Sequence, residues 1–338
     1  MSDALFQEND FSPIIRTLGK GKSGSRSLKQ DEAESAFGQI LREEVEDVQL
    51  GAFLMLLRVK EESPEEIAGF VKASRAMIQH HWQLDNTLNI DIDWSSYAGK
   101  RKQQPWFVLV LCLLAQHGYR CVVHGTKGHT ADRLYTEQVF TDLGLPIANN
   151  KQELSEQLAY KNLSFVSIEA LCPRLQDLIN MRPLFGLRSP VHTLCRLINP
   201  FSAQHSFSSI FHPAYATTHQ EAAALLGDRS LTVFKGESGE IERKADATCL
   251  VKSVFEHSLS EEKWPRLQTD KQGICDNKSA SLIKTVYQGQ AHDNYGEQAV
   301  IGTLAICLKQ IKQLSTQEEA TELATSLWNS RDKNWLNS

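Results

Sequence analysis

Over the first eighty residues apolar positions recur at three- and four-residue spacing, the period of a helix lying on a core. Val48, Ala52, Met55, Leu56 and Val59 make one such face. Ser63-Pro64-Glu65-Glu66 reads as a capping box with proline at the first helical position, and Ser27-Leu28-Lys29-Gln30 as a weaker start signal. A small helical domain is expected here. After Asp85 the period changes. Residues 89–93 alternate like a short strand, and Pro105 opens an apolar stretch stopped by His117-Gly118, the signature of a buried helix. Tyr119 to Val123 and Leu163 to Ile168 read as strands, with a helix from Thr136 to Leu143 ended by Gly144 between them. Strands alternating with helices imply an α/β fold, a largely parallel sheet covered on both faces.

Downstream, Leu231 to Gly236 and Ala247 to Val254 are predicted strands, and Ser279 to Gln288 and Gly296 to Ile311 predicted helices. Thr316-Gln317-Glu318-Glu319 is a further capping box, opening a helix to about Asn329. The polar stretch Glu256 to Asn277, with Trp264-Pro265 and Gly273, is expected to be a long loop.

Composition narrows this picture only slightly. The 338 residues are 41% hydrophobic and 23% charged, ordinary for a folded protein. Seven cysteines form no C-x-x-C pair and no His-Cys cluster at zinc spacing, and read as reduced, mostly buried thiols of a cytoplasmic protein. The N-terminus has no signal-peptide pattern, and the longest apolar run, Trp106 to Ala115, is too short for a membrane span.

The net charge of −5 hides an uneven distribution. Phe11 to Gln30 holds five basic residues and no acid, whereas Asp31 to Glu66 holds eleven acids against Arg42, Arg58 and Lys60. Between Tyr97 and Arg133 lie six cations (Lys100, Arg101, Lys102, Arg120, Lys127, Arg133) against Asp132, with glycine turns at Gly99 and Gly125. In a strand-loop-helix fold both turns fall at one sheet edge, where backbone N–H groups and cations converge on an anion.

Several separated segments, in order, resemble anthranilate phosphoribosyltransferase. They are Ala52 to Lys60 with Glu65 to Gly69, His124-Gly125 with Leu143-Gly144, and Arg182 to Pro200 (R-P-L-F-G-L-R-S-P-V-H-T-L-C-R-L-I-N-P). The resemblance implies a small helical domain, residues 1–85 completed by about 177–202, hinged to an α/β domain of residues 86–176 and 203–338 with a mixed central sheet flanked by helices. It also implies a homodimer formed through the helical domain.

The family's chemistry displaces pyrophosphate from phosphoribosyl pyrophosphate, with magnesium and backbone donors taking up the charge. Its glycine-rich G-T-G-G-D loop corresponds here to Ser96-Tyr97-Ala98-Gly99-Lys100-Arg101, one glycine and two cations. Of the K-H-G-N-R motif only His124 and Gly125 remain, followed by Thr126-Lys127. The magnesium pair Asp-Glu falls on Ile241-Glu242, and isoleucine offers no oxygen to a hard cation. Glu240 and Glu242 are read as solvated, with Glu242 a weak metal candidate. Arg182 falls where the family places a carboxylate-binding arginine, and Arg188 and Asn199-Pro200 match the domain-crossing segment.

These departures look like a second branch of the family, associated with nucleic-acid binding and not with tryptophan synthesis. The expected function is therefore non-specific binding of DNA or RNA in a basic inter-domain cleft, without a cofactor and with no residue assigned to catalysis. The expected contacts are Gly99, Lys100, Arg101, Lys102, His124, Gly125, Lys127 and Arg133, with Arg182, Arg188 and Arg196 across the cleft; Tyr97, Trp106 and Tyr135 are candidate base-stacking aromatics, with Trp106, inside an apolar helix, read first as core. Structural roles stand beside these: His124 capping a strand end, Arg188 and Arg196 bracing helix ends. The alternative is a Mg2+-dependent phosphoribosyl transferase acting on an aromatic or nucleobase-like acceptor; a third reading is an interaction subunit using the acidic helices.

Overall fold

The computed structural model describes residues 9–337 except Lys22, Asn86, His129, Ala131, Asp276 and Asn277. The N-terminal expectation of no leader falls on residues 1–8, outside the described residues. Four helices open the chain: α1 (Ser12–Gly19), α2 (Gln30–Leu41), α3 (Asp47–Lys60) and α4 (Pro64–Trp82). The capping box at Ser63 forms in both directions, Glu66 N–H donating to Ser63 Oγ at 3.3 Å and Ser63 N–H to Glu66 Oε2 at 2.8 Å. The one proposed at Ser27 does not form; Lys29 N–H meets Glu32 instead, and Ser27 Oγ accepts from Lys60. The apolar face assigned to α3 is also corrected. Leu50, Phe53, Leu54 and Leu57 are the buried positions, while Val48 and Val59 are 77% and 86% exposed.

The remaining chain runs β1 (Ile92–Ser96), α5 (Phe107–Gln116), β2 (Cys121–Gly125), α6 (Thr136–Leu143), β3 (Ile147–Ala148), α7 (Lys151–Lys161) and β4 (Leu163–Ser167). Four short helices follow, α8 (Ile168–Leu171), α9 (Pro173–Asn180), α10 (Arg182–Phe185) and α11 (Val191–Leu194), then β5 (His205–Ile210), α12 (Tyr215–Leu226) and β6 (Ser230–Lys235). An antiparallel pair, β7 (Cys249–Phe255) and β8 (Ser258–Trp264), precedes α13 (Ala280–Tyr287), α14 (Asn294–Lys312) and α15 (Gln317–Asn329). β8 lies where a loop was expected. Its residues 258–263 are largely polar because it is an edge strand of the sheet, so it lacks the apolar alternation that marks a buried one.

The eight strands form one mixed sheet in the order β3-β4-β2-β1-β5-β6-β7-β8, parallel from β3 to β6. Alternation along the strands divides the core between its faces. Val122, Val166, Leu231 and Val233 join the core built with α1 to α4, α9, α11 and α12. Cys121, Val123, Phe165 and Phe234 join the core of α5, α6, α13, α14 and α15. The chain is therefore a small helical domain with a larger α/β domain. The parallel strands end together at one edge, and the connection from β1 runs to β2 on one side while that from its other neighbour, β5, runs to β6 on the opposite side: a topological switch point, where α/β sheets place ligand crevices.

Candidate functional site

At that switch point β1 ends in the turn Ala98-Gly99, with Gly99 at φ +67°. Its two backbone N–H groups face inward, the geometry of an anion nest. The nest is filled from within the chain. Glu240 Oε1 accepts from Ala98 N at 2.7 Å and Gly99 N at 2.6 Å, and its Oε2 accepts from Ser96 Oγ at 2.7 Å. The loop after β6 delivers this carboxylate. Gly236 makes the fold possible, since a Cβ there would stand 1.7 Å from the Glu240 carbonyl oxygen. Arg133 Nη1 ties the arrangement from outside, donating to the carbonyls of Ala98 at 2.9 Å and Gly99 at 3.0 Å. Arg196 Nη1 does the same for Ser209 and Gly239, both at 2.9 Å.

Lys100 does not reach solvent as a phosphate contact would. Its side chain is 0% exposed, paired with Glu237 Oε2 at 2.5 Å and with Glu242 Oε1. The second oxygen of Glu242 accepts from Phe107 N at 2.9 Å. Burial, opposed by Lys100 and reinforced by Glu237, pushes Glu242 up to about 7. Glu240 and Glu242 are thus both fully buried, and the expectation of solvated carboxylates is corrected. A single lysine between two carboxylates is one cation against two acids, so Glu242 retains a proton toward neutral pH.

The same geometry answers the magnesium question. The Asp position of the family's metal pair is Ile241, itself buried, and the oxygens of Glu240 and Glu242 are committed to backbone donors, Ser96 and Lys100. The described residues do not fit Mg2+ here, and no described group of His, Cys, Asp and Glu could hold a metal.

His124 is likewise internal. It is fully buried between Tyr97 Oη, 2.7 Å from Nδ1, and Asp93 Oδ1, 3.2 Å from Nε2. With Nε2 protonated toward Asp93, Nδ1 accepts from the tyrosine. Gly125 is required by packing: a Cβ there would lie 2.2 Å from the Ser96 carbonyl oxygen, so glycine allows β1 and β2 to approach. Tyr97, Trp106 and Tyr135 are all buried and present no face for stacking. Lys127 is exposed but paired with Glu169.

The solvent-facing cations lie beside the filled nest. Arg101 and Lys102 are exposed on the turn and have no acid partner among the described residues. Across the cleft Arg182 Nη1 donates to Thr130 Oγ1 at 2.6 Å, and Arg188 lies half-buried without a hydrogen-bond or ion-pair partner among the described residues. Burial, then the neighbouring Arg182, Arg196 and Arg133, pull Arg188 down to about 10. Three of these arginines line a cavity of about 290 Å3 with Arg58, Tyr97, Phe211 and Tyr215. Sequence reasoning missed Arg58 and Phe211. Arg58 sits in an acidic stretch but ends α3 facing Tyr215, with Nη1 3.3 Å from Tyr215 Oη. Phe211 directly follows β5 and remains 51% exposed; its place one residue past a strand end is the signal that could have found it.

A small helical domain on a mixed α/β sheet, with a glycine turn at the switch point, defines a phosphoribosyltransferase fold. Residues 12–78 match the family model described as glycosyl transferase family, helical bundle domain. The chain is 32% identical over 236 residues to the uncharacterized protein YbiB of Escherichia coli K12, covering 69% of this chain and 72% of that one. It is 28% identical over 228 residues to an anthranilate phosphoribosyltransferase of Oleidesulfovibrio alaskensis, covering 67% and 66%. The fold matches the Saccharomyces cerevisiae anthranilate phosphoribosyltransferase solved with PRPP and Mg, with TM-score 0.77, 16% identity, and 97% and 95% of the two chains covered. The chain belongs to the anthranilate phosphoribosyltransferase-like family of glycosyltransferases. Its similarity to uncharacterized relatives, YbiB among them, fits a branch apart from the tryptophan enzymes.

Proposed function

We propose that this protein binds nucleic acid with little sequence preference through the basic inter-domain cleft, and that it lacks anthranilate phosphoribosyltransferase activity. The observation that carries the reading is Glu240 in the Ala98-Gly99 nest. A pyrophosphate brought to the same two N–H groups would meet a fixed carboxylate, a like charge at contact distance in a buried site. What stays open to solvent is a set of cations: Arg101 and Lys102 on the turn, Arg133 and Arg188 partly exposed beside it, and Arg182 with Arg58 across the cleft. Repeated phosphates on a flexible strand suit cations spread over a cleft better than one compact ligand does.

The protein in this reading acts as a homodimer. The exposed apolar stripe of α3, Val48 and Val59 with half-buried Ala52, Met55 and Leu56, is the surface a second copy would cover. No described helix is long and apolar enough to cross a membrane.

Titration of a labelled oligonucleotide at several salt concentrations, competed with phosphoribosyl pyrophosphate and magnesium, tests the reading. Strand binding that weakens steeply with salt and survives the competitor supports it. Turnover of phosphoribosyl pyrophosphate to pyrophosphate with an added aromatic acceptor would establish the transferase alternative instead.

A further inference from the structure

The cavity under the cleft has a composition that a path for an internal strand does not require. Its lining includes Arg58, Arg182, Arg188 and Arg196, and no Asp or Glu among the described residues. Tyr97, Ile210 and His219, all buried, complete its inner lining. In its wall Ser189 is 4% exposed, and its buried hydroxyl has no hydrogen-bond partner among the described residues. A buried donor left unmade and a half-buried guanidinium without an acid are both costly, and one multivalent acceptor satisfies both. At the mouth stands Phe211, exposed, with His212 edge-on at 5.0 Å between ring centroids. Such a ring offers a π-face to one base.

We propose that this cavity is a seat for the end of a nucleic-acid strand carrying a terminal phosphate. The phosphomonoester lies against Arg188 and Ser189 with Arg182 beside them, and the terminal base packs on Phe211. The choice of an end over an internal phosphate follows from charge and shape. A phosphodiester carries one negative charge and must continue in two directions. A terminal phosphomonoester carries about −1.5 to −2 at neutral pH, presents three acceptor oxygens, and continues in one direction only. Four guanidiniums around a cavity of about 290 Å3, with no acid in its described lining, match the higher charge and the extra acceptor oxygens of the second. The inference rests on the proposed nucleic-acid binding and specifies where on the polymer it is strongest.

The test is a set of equilibrium titrations of the full chain at one salt concentration. The probes are one oligonucleotide with a 5′-phosphate, a 3′-phosphate or hydroxyls at both ends, and a circular single strand of the same composition. The expected result is an affinity for one phosphorylated end on the order of tenfold above the hydroxyl and circular forms, one charge-assisted contact's worth. In Arg188→Ala and in Ser189→Ala the ratio between phosphorylated and hydroxyl ends falls toward one, whatever happens to overall affinity. Reading a ratio within each variant keeps the test independent of any loss of stability. Equal affinity for all four probes in the wild type would overturn the end assignment while leaving cleft binding intact. Absence of binding to every probe would overturn both. Displacement of the phosphorylated strand by an equal concentration of inorganic phosphate would assign the cavity to free phosphate and overturn the strand end.

Discussion

The Glu240 carboxylate accepts the Gly99 backbone N–H at 2.6 Å, so the chain supplies its own anion to the turn where its relatives' fold places a ligand crevice. The same oxygen takes Ala98 N–H, and the other takes Ser96 Oγ. Replacing Glu240 by alanine leaves two buried N–H donors without acceptors. The expected cost is about 2–4 kcal/mol. Because the nest itself stays formed, phosphate or pyrophosphate should raise the melting temperature of Glu240→Ala and leave the wild type unchanged. A differential scanning measurement with and without each anion reads both effects. Equal stabilisation of the two proteins would mean that Glu240 does not occupy the site in solution.

Lys100 and Lys102 are two residues apart and should respond oppositely to alanine. Lys100 holds Glu237 and Glu242 in a solvent-free cluster, and breaking a buried pair of this kind costs about 3–5 kcal/mol. Lys102 is exposed, and its loss should change stability by less than about 0.5 kcal/mol while weakening oligonucleotide binding. Chemical denaturation of both variants alongside binding titrations separates the roles. A stable Lys100→Ala with impaired binding would return Lys100 to the contact surface.

Acid should destabilise the protein through two buried histidines. Burial depresses His219 to about 3 and His205 to about 4, both below the ordinary value of 6.5. In the folded state they stay neutral while the unfolded chain takes up protons. Their contribution is therefore complete above pH 6.5 and is lost as the pH falls toward 4. Glu242, raised to about 7, works in the opposite direction between pH 4.5 and 7. Glu62 and Glu137, also raised by burial, act on the same side as Glu242, so the histidine share of the slope of stability against pH is isolated by substitution. In His219→Gln that slope should shrink by up to about 1.4 kcal/mol per pH unit. Denaturation midpoints across this range check it, and an unchanged slope would place His219 in a protonatable, wetter setting.

The α3 stripe gives the dimer a direct test. Val48→Glu combined with Val59→Glu changes two exposed positions that no core contact requires, so the fold should persist. Sedimentation should show a dimer for the wild type and a monomer for the double variant. A monomeric wild type would remove the dimer from the account.

The architecture was legible wherever burial left a periodic trace. The helix at Thr136 to Leu143, the apolar helix after Pro105 and the capping box at Ser63 all appear as read, while Thr316 caps its helix through Glu319 N–H and the Glu319 carboxylate turns back to Ser315 N–H instead of closing the box. β8 escaped because an edge strand need not alternate, and α3 was rotated because both of its faces carry apolar residues. The site was legible only as a region. That Gly99 and Gly125 sit together follows from the pattern of parallel strands, with β1 and β2 paired in register. That Lys100 turns inward depends on Glu237 and Glu242, well over a hundred residues away, and no local signal marks a carboxylate that will be buried by a distant lysine. Arg101 and Arg188 were recognisable because exposed or half-exposed cations need no partner to be found.

Which phosphate the cleft takes is tested most directly by titration of a labelled single-stranded oligonucleotide across a series of salt concentrations, with and without magnesium and phosphoribosyl pyrophosphate. With about five phosphates neutralised, the log-log slope of affinity against salt should be on the order of −4, and the competitor should neither displace the strand nor be consumed. A slope near zero, with phosphoribosyl pyrophosphate bound or turned over in its place, would contradict the account.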